Sequence, residues 1–296
     1  MLRVVAIGIC LCLNLPFWAI LILIGGLFKL LTFGAPRRRV INVLSWLAER
    51  WIQVNDAVFD TFLSTEWRMT GLEELRRDRH YLLISNHVSW IDIFAVQRAF
   101  LDRGPFIRFF IKQALIWSPF LGQAAWALEF PFMRRYSREY LEQHPEKRGR
   151  DLETTRIACR RYRGIPVAIL NYVEGTRFSP EKHAEQASPY KHLLRPRVGG
   201  IAFVLASFSE QLDALYDITV VYPKRDVTIL DFVTNRLPWI ALHARRIDVP
   251  AEFRSDAITQ PGPEREHFKT WVEQLWREKD ELIERMLANE GRLPNE

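Results

Sequence analysis

The first apolar run of the chain carries no charge from Val4 to Phe28. As a helix these 25 residues would span about 37 Å at ~1.5 Å per residue, against a hydrocarbon core of about 30 Å. Asn14 and Pro16 interrupt the run, so a kinked helix or a hairpin that enters and leaves by one leaflet is an alternative. A secretory signal peptide would have a shorter apolar region and a small-residue cleavage site before Lys29. The pattern therefore predicts a transmembrane or monotopic membrane anchor over residues 1–36.

The next segment, residues 37–65, has apolar positions that recur at steps of three and four. This spacing predicts an amphipathic helix near residues 40–63. The apolar stripe contains Val43, Leu44, Leu47, Trp51, Val54 and Val58. A helix packed on the globular domain and a helix lying in the membrane interface both fit, because Trp46 and Trp51 suit either place.

Beyond Gly71, short apolar runs alternate with helical segments. Strands are predicted near residues 81–85, 107–111, 128–132, 166–173 and 216–222, with a later strand within Arg236–Arg246. Helices are predicted near residues 90–101, 150–163 and 199–213, with a long helix over Glu264–Asn289 and a polar loop over residues 178–196. This alternation predicts an α/β domain over residues 66–296, with a mostly parallel sheet flanked by helices.

The composition limits the class of protein. Of the 296 residues, 48% are hydrophobic and 12% aromatic, which excludes a disordered or fibrous chain. A chain of this length can bury a substantial core without disulfide bonds. Cys10 and Cys12 lie in the first apolar run and Cys159 stands alone, a spacing that suits neither a zinc site nor a disulfide framework. The sequence predicts no metal site and a reducing compartment.

Charge is distributed unevenly along the chain, whose formal total is +6. Residues 252–296 hold 11 acidic and 7 basic side chains, whereas residues 1–39 hold five basic side chains and no acid. Residues 134–163 hold ten basic side chains against five acids. Such basic clusters suit an anionic membrane or nucleic acid, but no helix-turn-helix, RNP-like or zinc-finger pattern supports nucleic acid. Arg37–Arg39 should stay on the cytoplasmic side of a membrane, which would place the following domain in the cytosol.

The predicted strand at Tyr81 runs directly into His87, and Asp92 follows five residues later. On one continuous helix, five residues would separate the two side chains by roughly 140°. They can meet if Ser89 is the N-cap, so that His87 lies on the turn and Asp92 lies in the first helical turn. A carboxylate on one imidazole nitrogen would then make His87 a general base. The alternative is a simple capping box of Ser89 and Asp92, with His87 a polar residue at a strand end.

A second segment, Glu174-Gly-Thr-Arg177, follows the buried strand predicted over Val167–Val173. Turns at the carboxyl ends of two parallel strands can converge on one crevice. Gly175 permits a tight turn, Thr176 supplies a hydroxyl, and Arg177 presents a planar donor fork suited to a phosphate monoester. The alternative is an exposed loop with an ordinary Glu and Arg.

Together these segments resemble the membrane-bound glycerolipid acyltransferase family, specifically its 1-acylglycerol-3-phosphate O-acyltransferases. Asn86-His87 to Asp92 matches the NHxxxxD block of that family, and Glu174 to Arg177 matches its EGTR block. Lys112, Leu115, Pro119, Phe120 and Gly122, followed by Phe132-Met-Arg-Arg135, resemble the second block. Residues 216–223 resemble the extended branch that contains lysocardiolipin-type acyltransferases.

The resemblance implies that His87 and Asp92 are catalytic. It implies that Arg177 and Arg135, rather than Arg134, hold the acceptor phosphate. The remaining substrate-site candidates are Lys112, Glu174, Gly175 and Thr176, and backbone amides near Glu174 or in the 89–92 turn are candidate oxyanion donors.

The implied reaction moves a fatty acyl group from a thioester, either acyl-CoA or acyl carrier protein, to the free hydroxyl of a lysophospholipid. No cofactor is implied, and no GxSxG motif suggests an acyl-enzyme. The acceptor expected first is 1-acyl-sn-glycerol-3-phosphate, which would give phosphatidic acid. Lysophosphatidylglycerol and lysocardiolipin stay open, as do a lysophospholipid hydrolase and a non-enzymatic protein that binds anionic lipid. The expected partners are these substrates and membrane lipid, at the cytoplasmic face of a bacterial inner membrane.

Overall fold

The structure, a computed structural model, describes residues 2–133, 150–208 and 210–293. Its centre is a six-stranded sheet. The strands are β1 (Glu66–Thr70), β2 (His80–Ser85), β3 (Ile107–Phe109), β6 (Val167–Tyr172), β7 (Ala214–Val221) and β8 (Trp239–Ile247). A separate two-stranded sheet pairs β4 (Ile111–Lys112) with β5 (Phe132–Met133).

The strand order in the main sheet is β1-β8-β7-β2-β6-β3. Strands β7, β2, β6 and β3 are mutually parallel, whereas β8 runs antiparallel to β7 and carries β1 in parallel beside it. The prediction of an α/β fold with a mostly parallel sheet is confirmed. Because β2 lies between β6 and β7, the turns after these three strands meet at one edge of the sheet.

The helices flank this sheet on both faces. They are α1 (Leu2–Lys29), α2 (Gly34–Phe62), α3 (Ile91–Phe100), α4 (Leu121–Ala127), α5 (Arg150–Arg161), α6 (Pro180–Glu185), α7 (Gly199–Phe208), α8 (Ile229–Val233) and α9 (Pro263–Ala288). Short 3₁₀ helices occur at Gln113–Trp117, Ala251–Phe253 and Asp256–Thr259.

Successive residues of β2 point to opposite faces and so belong to different cores. Leu82 and Ile84 pack with buried side chains of α5, α7 and α9. Tyr81 and Leu83 pack with those of α3, with Phe59 of α2 and with residues of α1 and α8. The α1–α2 pair and α9 therefore lie in opposite layers of the domain.

The N-terminal segment forms a helical hairpin. Helix α1 is continuous through Pro16, and α2 begins at Gly34, inside the segment that the sequence assigned to the anchor. The two helices run antiparallel, since the Asn14 amide donates to the Asn55 side chain at 2.8 Å while Gly25 packs on Leu44 nearer the loop. Helix α1 is long and apolar enough to cross a membrane, which makes it a candidate membrane anchor.

The outward side of α1 is an exposed apolar face. Its exposed large side chains are Leu2, Val5, Ile9, Leu13, Phe17, Ile20, Leu21, Ile24, Leu27 and Phe28. Trp117, Phe120 and Leu121 are also exposed, just before and at the start of α4, which packs against α1. An apolar surface of this extent marks a site of contact with a membrane or another protein.

A buried carboxylate attaches the hairpin to the rest of the domain. Glu129 follows α4 with φ 65° and forms ion pairs with Lys29 at the end of α1, at 2.9 Å, and with Arg37 in α2. The hydroxyl of Tyr162, directly after α5, donates to the Glu129 backbone carbonyl at 2.7 Å. One short segment therefore connects both helices of the hairpin to the opposite layer of the domain.

The structure corrects the prediction of a strand near residues 128–132. The end of α4 and the left-handed turn at Glu129 occupy this segment, and only Phe132–Met133 is extended, outside the main sheet. The buried Arg108 explains why the apolar run does not join the sheet, because its Nε donates to the Leu128 carbonyl at 2.8 Å and fixes this segment as a turn.

Other boundaries differ more modestly. The strand expected over 107–111 is divided at Phe110 between β3 and β4. Helix α7 ends at Phe208 rather than at residue 213, and the polar loop 178–196 contains the short helix α6. The sequence did not predict β1, whose partly exposed residues occupy the sheet edge beside β8.

Candidate active site

The turn after β2 is fixed to the neighbouring strand β7 through Asn86. The Asn86 amide donates to the Val220 carbonyl at 2.8 Å, and the Val220 backbone N–H donates to the Asn86 side-chain oxygen at 2.9 Å. The side chain thus continues the backbone ladder for one position beyond Ser85, where β2 ends. His87 follows directly, held at the carboxyl edge of the sheet.

Asp92 contacts His87 in the way that the spacing predicts, with 2.7 Å between His87 Nδ1 and Asp92 Oδ2. The Asp92 side chain is fully buried, and Oδ2 also accepts the backbone N–H groups of Val88 at 2.7 Å and Ser89 at 3.0 Å. The Tyr222 hydroxyl, just beyond β7, donates to Oδ1 at 2.6 Å. Both oxygens of this carboxylate are therefore hydrogen-bonded within the protein.

The start of α3 differs from the predicted capping box. The helix begins at Ile91, with Trp90 rather than Ser89 at the N-cap and without a side-chain cap. The acidic half of the box is present, since Asp92 accepts the Ser89 amide. The same Asp92 carboxylate also binds His87. One side chain therefore both binds the backbone at the start of α3 and orients the imidazole.

His87 is 15% exposed and packs flat on Tyr172, with 4.0 Å between ring centroids and 16° between ring planes. Burial raises the pKa of the Tyr172 and Tyr222 phenols well above the usual value, so both rings stay neutral and Tyr222 remains a donor. With Nδ1 held by Asp92, Nε2 is the imidazole nitrogen left to exchange a proton with a ligand.

The turn after β6 reaches the His87 loop through backbone hydrogen bonds. Gly175 adopts φ 69°, in the left-handed region that glycine favours, and its N–H donates to the Tyr172 carbonyl at 2.9 Å. The Phe178 N–H donates to the His87 carbonyl at 2.7 Å. The two predicted motifs therefore form one joined pair of turns.

Arg177 is exposed at this edge, with its guanidinium stacked over the Trp90 ring at 4.8 Å. The Thr176 hydroxyl accepts from Lys182 Nζ at 2.8 Å, and the same Nζ donates to the Arg177 carbonyl at 3.0 Å. Lys182 thus holds the turn, and Trp90 holds the Arg177 fork beside the start of α3.

Glu174 points inward instead of pairing with Arg177. Burial raises the pKa of the Glu174 carboxyl well above its usual value, while buried Lys279 of α9 and the amides of Leu194 and His87 oppose that shift. Lys279 forms an ion pair with Asp217 at 2.5 Å. No described side chain lies within normal hydrogen-bond distance of either Glu174 oxygen. This arrangement suits a structural role for Glu174, as a buried side chain beneath the 174–177 turn.

The remaining predicted residues are not joined to this cluster. Lys112 is exposed at the end of β4, and no hydrogen bond or ion pair among the described residues connects it to His87 or to the 174–177 turn. Arg134 and Arg135 lie outside the described residues. Within the described ranges, no group of three or more His, Cys, Asp or Glu side chains could hold a metal ion.

Three contributors were not predicted from the sequence: Tyr172, Tyr222 and Lys279. A usable signal existed for Tyr222, since it ends an apolar run beside the family-like Pro223. Its partner Asp92 is 130 positions away, and only the strand order brings the two together. Lys279 lies on the apolar face of the long predicted helix, four residues after Leu275 and four before Ile283, and this spacing was a usable signal for its burial.

Comparison with known proteins supports the same assignment. A family model described as Acyltransferase matches residues 66–223, just over half of the chain, and this range contains every described residue of the joined turns. The chain belongs to the Acyltransferase family.

Curated relatives of this acyltransferase are distant. A 1-acyl-sn-glycerol-3-phosphate acyltransferase epsilon of Mus musculus is 23% identical over 70% of this chain and 58% of its own length. A probable 1-acyl-sn-glycerol-3-phosphate acyltransferase 5 of Arabidopsis thaliana is 26% identical over 86% of this chain and 65% of its own length. Lysocardiolipin acyltransferase 1 of Danio rerio is 25% identical over 94% and 71%. The chain thus spans about three fifths of the length of the first two relatives.

A solved structure shares the fold. The crystal structure of the 1-acyl-sn-glycerophosphate acyltransferase PlsC from Thermotoga maritima matches 92% of this chain and 93% of its own, with a TM-score of 0.50 and 15% identity. At this identity the likeness supports the architecture of the acyltransferase, including the N-terminal helices, and nothing finer.

The buried Glu174 predicts a pH-dependent stability. A carboxyl whose pKa is raised on folding holds its proton more tightly in the native state. The stability of the protein therefore falls as the pH rises above 4.5, the ordinary pKa of a Glu carboxyl. In Glu174→Gln this loss, at most about 1.4 kcal/mol per pH unit, should disappear. Chemical denaturation at several values between about pH 5 and about pH 8 measures how the free energy of unfolding depends on pH.

The matched control is Glu185→Gln, an exposed residue at the end of α6, which should keep the wild-type pH profile. Equal slopes for Glu174→Gln and wild type would contradict a raised pKa at Glu174.

Proposed function

We propose that this acyltransferase transfers a fatty acyl group from an acyl thioester to the free hydroxyl of a lysophospholipid, with His87 as the general base. The observation that carries the proposal is the His87–Asp92 pair, which leaves Nε2 to exchange a proton. The His87 turn is also hydrogen-bonded to the turn that carries the exposed Arg177. The acceptor proposed first is 1-acyl-sn-glycerol-3-phosphate, so that the product is phosphatidic acid. The names of two curated relatives and the bidentate geometry with which Arg binds phosphate support this choice.

The proposed reaction proceeds in one displacement. Nε2 of His87 takes the proton of the acceptor hydroxyl as its oxygen attacks the thioester carbonyl, and Asp92 stabilises the resulting imidazolium. The new C–O bond forms, the C–S bond breaks, and the thiolate leaves and accepts the proton from His87. Because a thioester is already activated, this route needs no covalent acyl-enzyme.

Oxyanion stabilisation requires backbone donors that are not already engaged. The amides of Val88 and Ser89 bind Asp92, and the Gly175 amide binds the Tyr172 carbonyl. The sequence suggested amides near Glu174 and in the 89–92 turn as oxyanion donors, and the engaged amides are removed from that set. We assign the role to the neighbouring amides of Trp90 and Thr176.

Acceptors other than lysophosphatidic acid also carry the phosphate group that Arg177 would bind. The relative named lysocardiolipin acyltransferase 1 matches 94% of this chain, which favours lysocardiolipin as a second candidate. A panel of lysophosphatidic acid, lysophosphatidylglycerol and lysocardiolipin, each with labelled acyl-CoA or acyl carrier protein, discriminates among them. Thiol release that does not depend on added lysolipid would favour a hydrolase, and no thiol release would favour a lipid-binding protein.

Replacing the proposed base should abolish turnover. His87→Ala should lower kcat by about 10²- to 10⁴-fold, the usual value of general-base assistance, while the protein still accumulates in membranes. Asp92→Asn should also be severely impaired. The matched control is His267→Ala, an exposed residue on α9, which should retain wild-type kcat. A loss below tenfold in His87→Ala would refute the base assignment.

The Arg177 fork should act on the acceptor and not on the donor. Arg177→Lys keeps the charge but loses the bidentate geometry and the planar stack on Trp90, so acceptor kcat/KM should fall by roughly 10- to 150-fold. Donor KM should stay near its wild-type value. Steady-state kinetics with each substrate varied in turn measure both.

Arg236→Lys, an exposed residue before β8, provides the control for a loss of guanidinium alone. An unchanged acceptor kcat/KM in Arg177→Lys, or an equal loss for donor and acceptor together with a lower melting temperature, would remove Arg177 from the phosphate site.

We propose that the enzyme works at the cytoplasmic face of a bacterial inner membrane, attached by α1. The exposed apolar face of α1 and Trp117, which is 84% exposed, support contact with lipid. Arg37–Arg39 at the start of α2 support a cytoplasmic location for the domain.

A reporter fused after Glu296 should therefore be active in the cytosol of a bacterial host, because basic residues beside an apolar helix are retained on that side. A paired alkaline phosphatase and fluorescent protein fusion measures the side directly. Phosphatase activity in the periplasm would reverse the proposed orientation.

A further inference from the structure

A pocket of about 190 Å³ opens where β7 ends, between the His87 loop and α9. Asn86 and Val88, which flank His87 in the sequence, form its inner end. The wall includes Tyr222, whose hydroxyl binds Asp92, and Phe178, whose amide binds the His87 carbonyl. The pocket therefore adjoins the proposed base through its immediate neighbours.

The lining of the pocket comes from both sides of β2, since Phe178 directly follows Arg177 and residues 220–225 lie at and beyond the end of β7. Strand β6, which leads into Arg177, and β3, which leads toward Lys112, lie on one side of β2 in the sheet. Strand β7 lies on the opposite side of β2. Residues 220–225 supply half of the pocket lining and include Arg225.

The lining of the pocket combines an apolar wall with a basic rim. Phe178, Ile283 and Leu287 supply the wall, the last two from α9. At the rim, Lys224 pairs with Asp231 at 2.7 Å and His192 pairs with Glu284 at 2.5 Å. Arg225 is exposed and contacts His192 at 3.4 Å, and no ion pair joins it to a described carboxylate. Its charge is the one at this rim that remains available to an anion.

We infer that this pocket binds the 4′-phosphopantetheine arm of the acyl thioester donor, with Arg225 on the phosphate of the arm. The inference rests on the proposed function, which requires a thioester beside His87. The arm is uncharged and partly apolar along its length, ends in the thioester sulfur and carries a phosphate at its other end. Coenzyme A and acyl carrier protein share this arm, so both donors present the same chemistry to the wall and the rim.

The position of the pocket relative to the two helical layers favours the thioester donor over the lysophospholipid acceptor as its ligand. The apolar α1–α2 hairpin packs in the layer that contains α3, whereas the outer wall of the pocket comes from α9 in the opposite layer. An acceptor that leaves a membrane held by α1 would reach His87 from the hairpin layer. A water-soluble donor can enter from the α9 layer.

The test uses the full-length protein in detergent and two probes that differ only by one phosphate, 4′-phosphopantetheine and pantetheine. In Arg225→Glu, the Kd for 4′-phosphopantetheine measured by calorimetry should rise by about tenfold or more, because one charge-assisted contact is lost and a repulsion is added. The Kd for pantetheine should not change. Leu287→Trp fills the pocket and should weaken both probes.

Kinetics give the second measurement. Arg225→Glu should raise donor KM by a factor similar to that seen in binding and leave acceptor KM unchanged. Arg236→Glu, an equal charge reversal on the same β7–β8 connection but outside the pocket lining, should match wild type in both assays. If the wild type uses both donors, the KM increase should occur with acyl-CoA and with acyl carrier protein alike.

Three results would overturn the assignment. These are an increase in acceptor KM instead of donor KM, an effect confined to acyl-CoA in an enzyme that uses both donors, and unchanged binding of 4′-phosphopantetheine in both pocket variants. The binding assay reports on the pocket without turnover. A wild type that binds the arm but transfers no acyl group would therefore refute the proposed function and leave the pocket assignment standing.

Discussion

The fully buried carboxylate of Asp92 is the constraint on which the arrangement of this site depends. A buried carboxylate is costly unless hydrogen bonds replace its water. Here the donors come from the turn after β2, from His87 and from Tyr222 beyond β7. Satisfying this one group fixes the start of α3, the orientation of the imidazole and the end of a neighbouring strand relative to each other. The geometry of His87 is thus a consequence of burying Asp92.

Local patterns predicted much of the fold and the nucleus of the site. Short continuous apolar runs identified β2, β6 and β7, and a 3.6-residue pattern identified α9. The five-residue separation of His87 and Asp92 required a turn between them, which is present. The prediction for 128–132 was wrong because a short apolar run has the same hydrophobicity at a helix end as in a strand. Buried Arg108, far away in sequence, determines the outcome there.

The rest of the site could not be predicted because its contacts join distant parts of the chain. The hydrogen bond from Tyr222 to Asp92 requires β7 to lie beside β2, and a strand order is not encoded in any local window. Lys279 is a similar case, since its ammonium donates to the Ile218 carbonyl, 61 positions away. A lysine on an amphipathic helix is usually exposed. Its burial against Asp217 follows from the way that α9 packs on the sheet.

The two layers of the domain give the site two different surroundings. The apolar hairpin lies in one layer and α9 in the other, and the His87 turn emerges at the sheet edge between them. Glu129 joins these layers, because its side chain pairs with Lys29 and Arg37 of the hairpin while its backbone carbonyl accepts from Tyr162, directly after α5. A domain held in this way keeps a fixed distance between the helix that would meet lipid and the proposed base. In the acyl transfer proposed above, this fixed relation would hold His87 where an acceptor from the membrane and a donor from solution can meet.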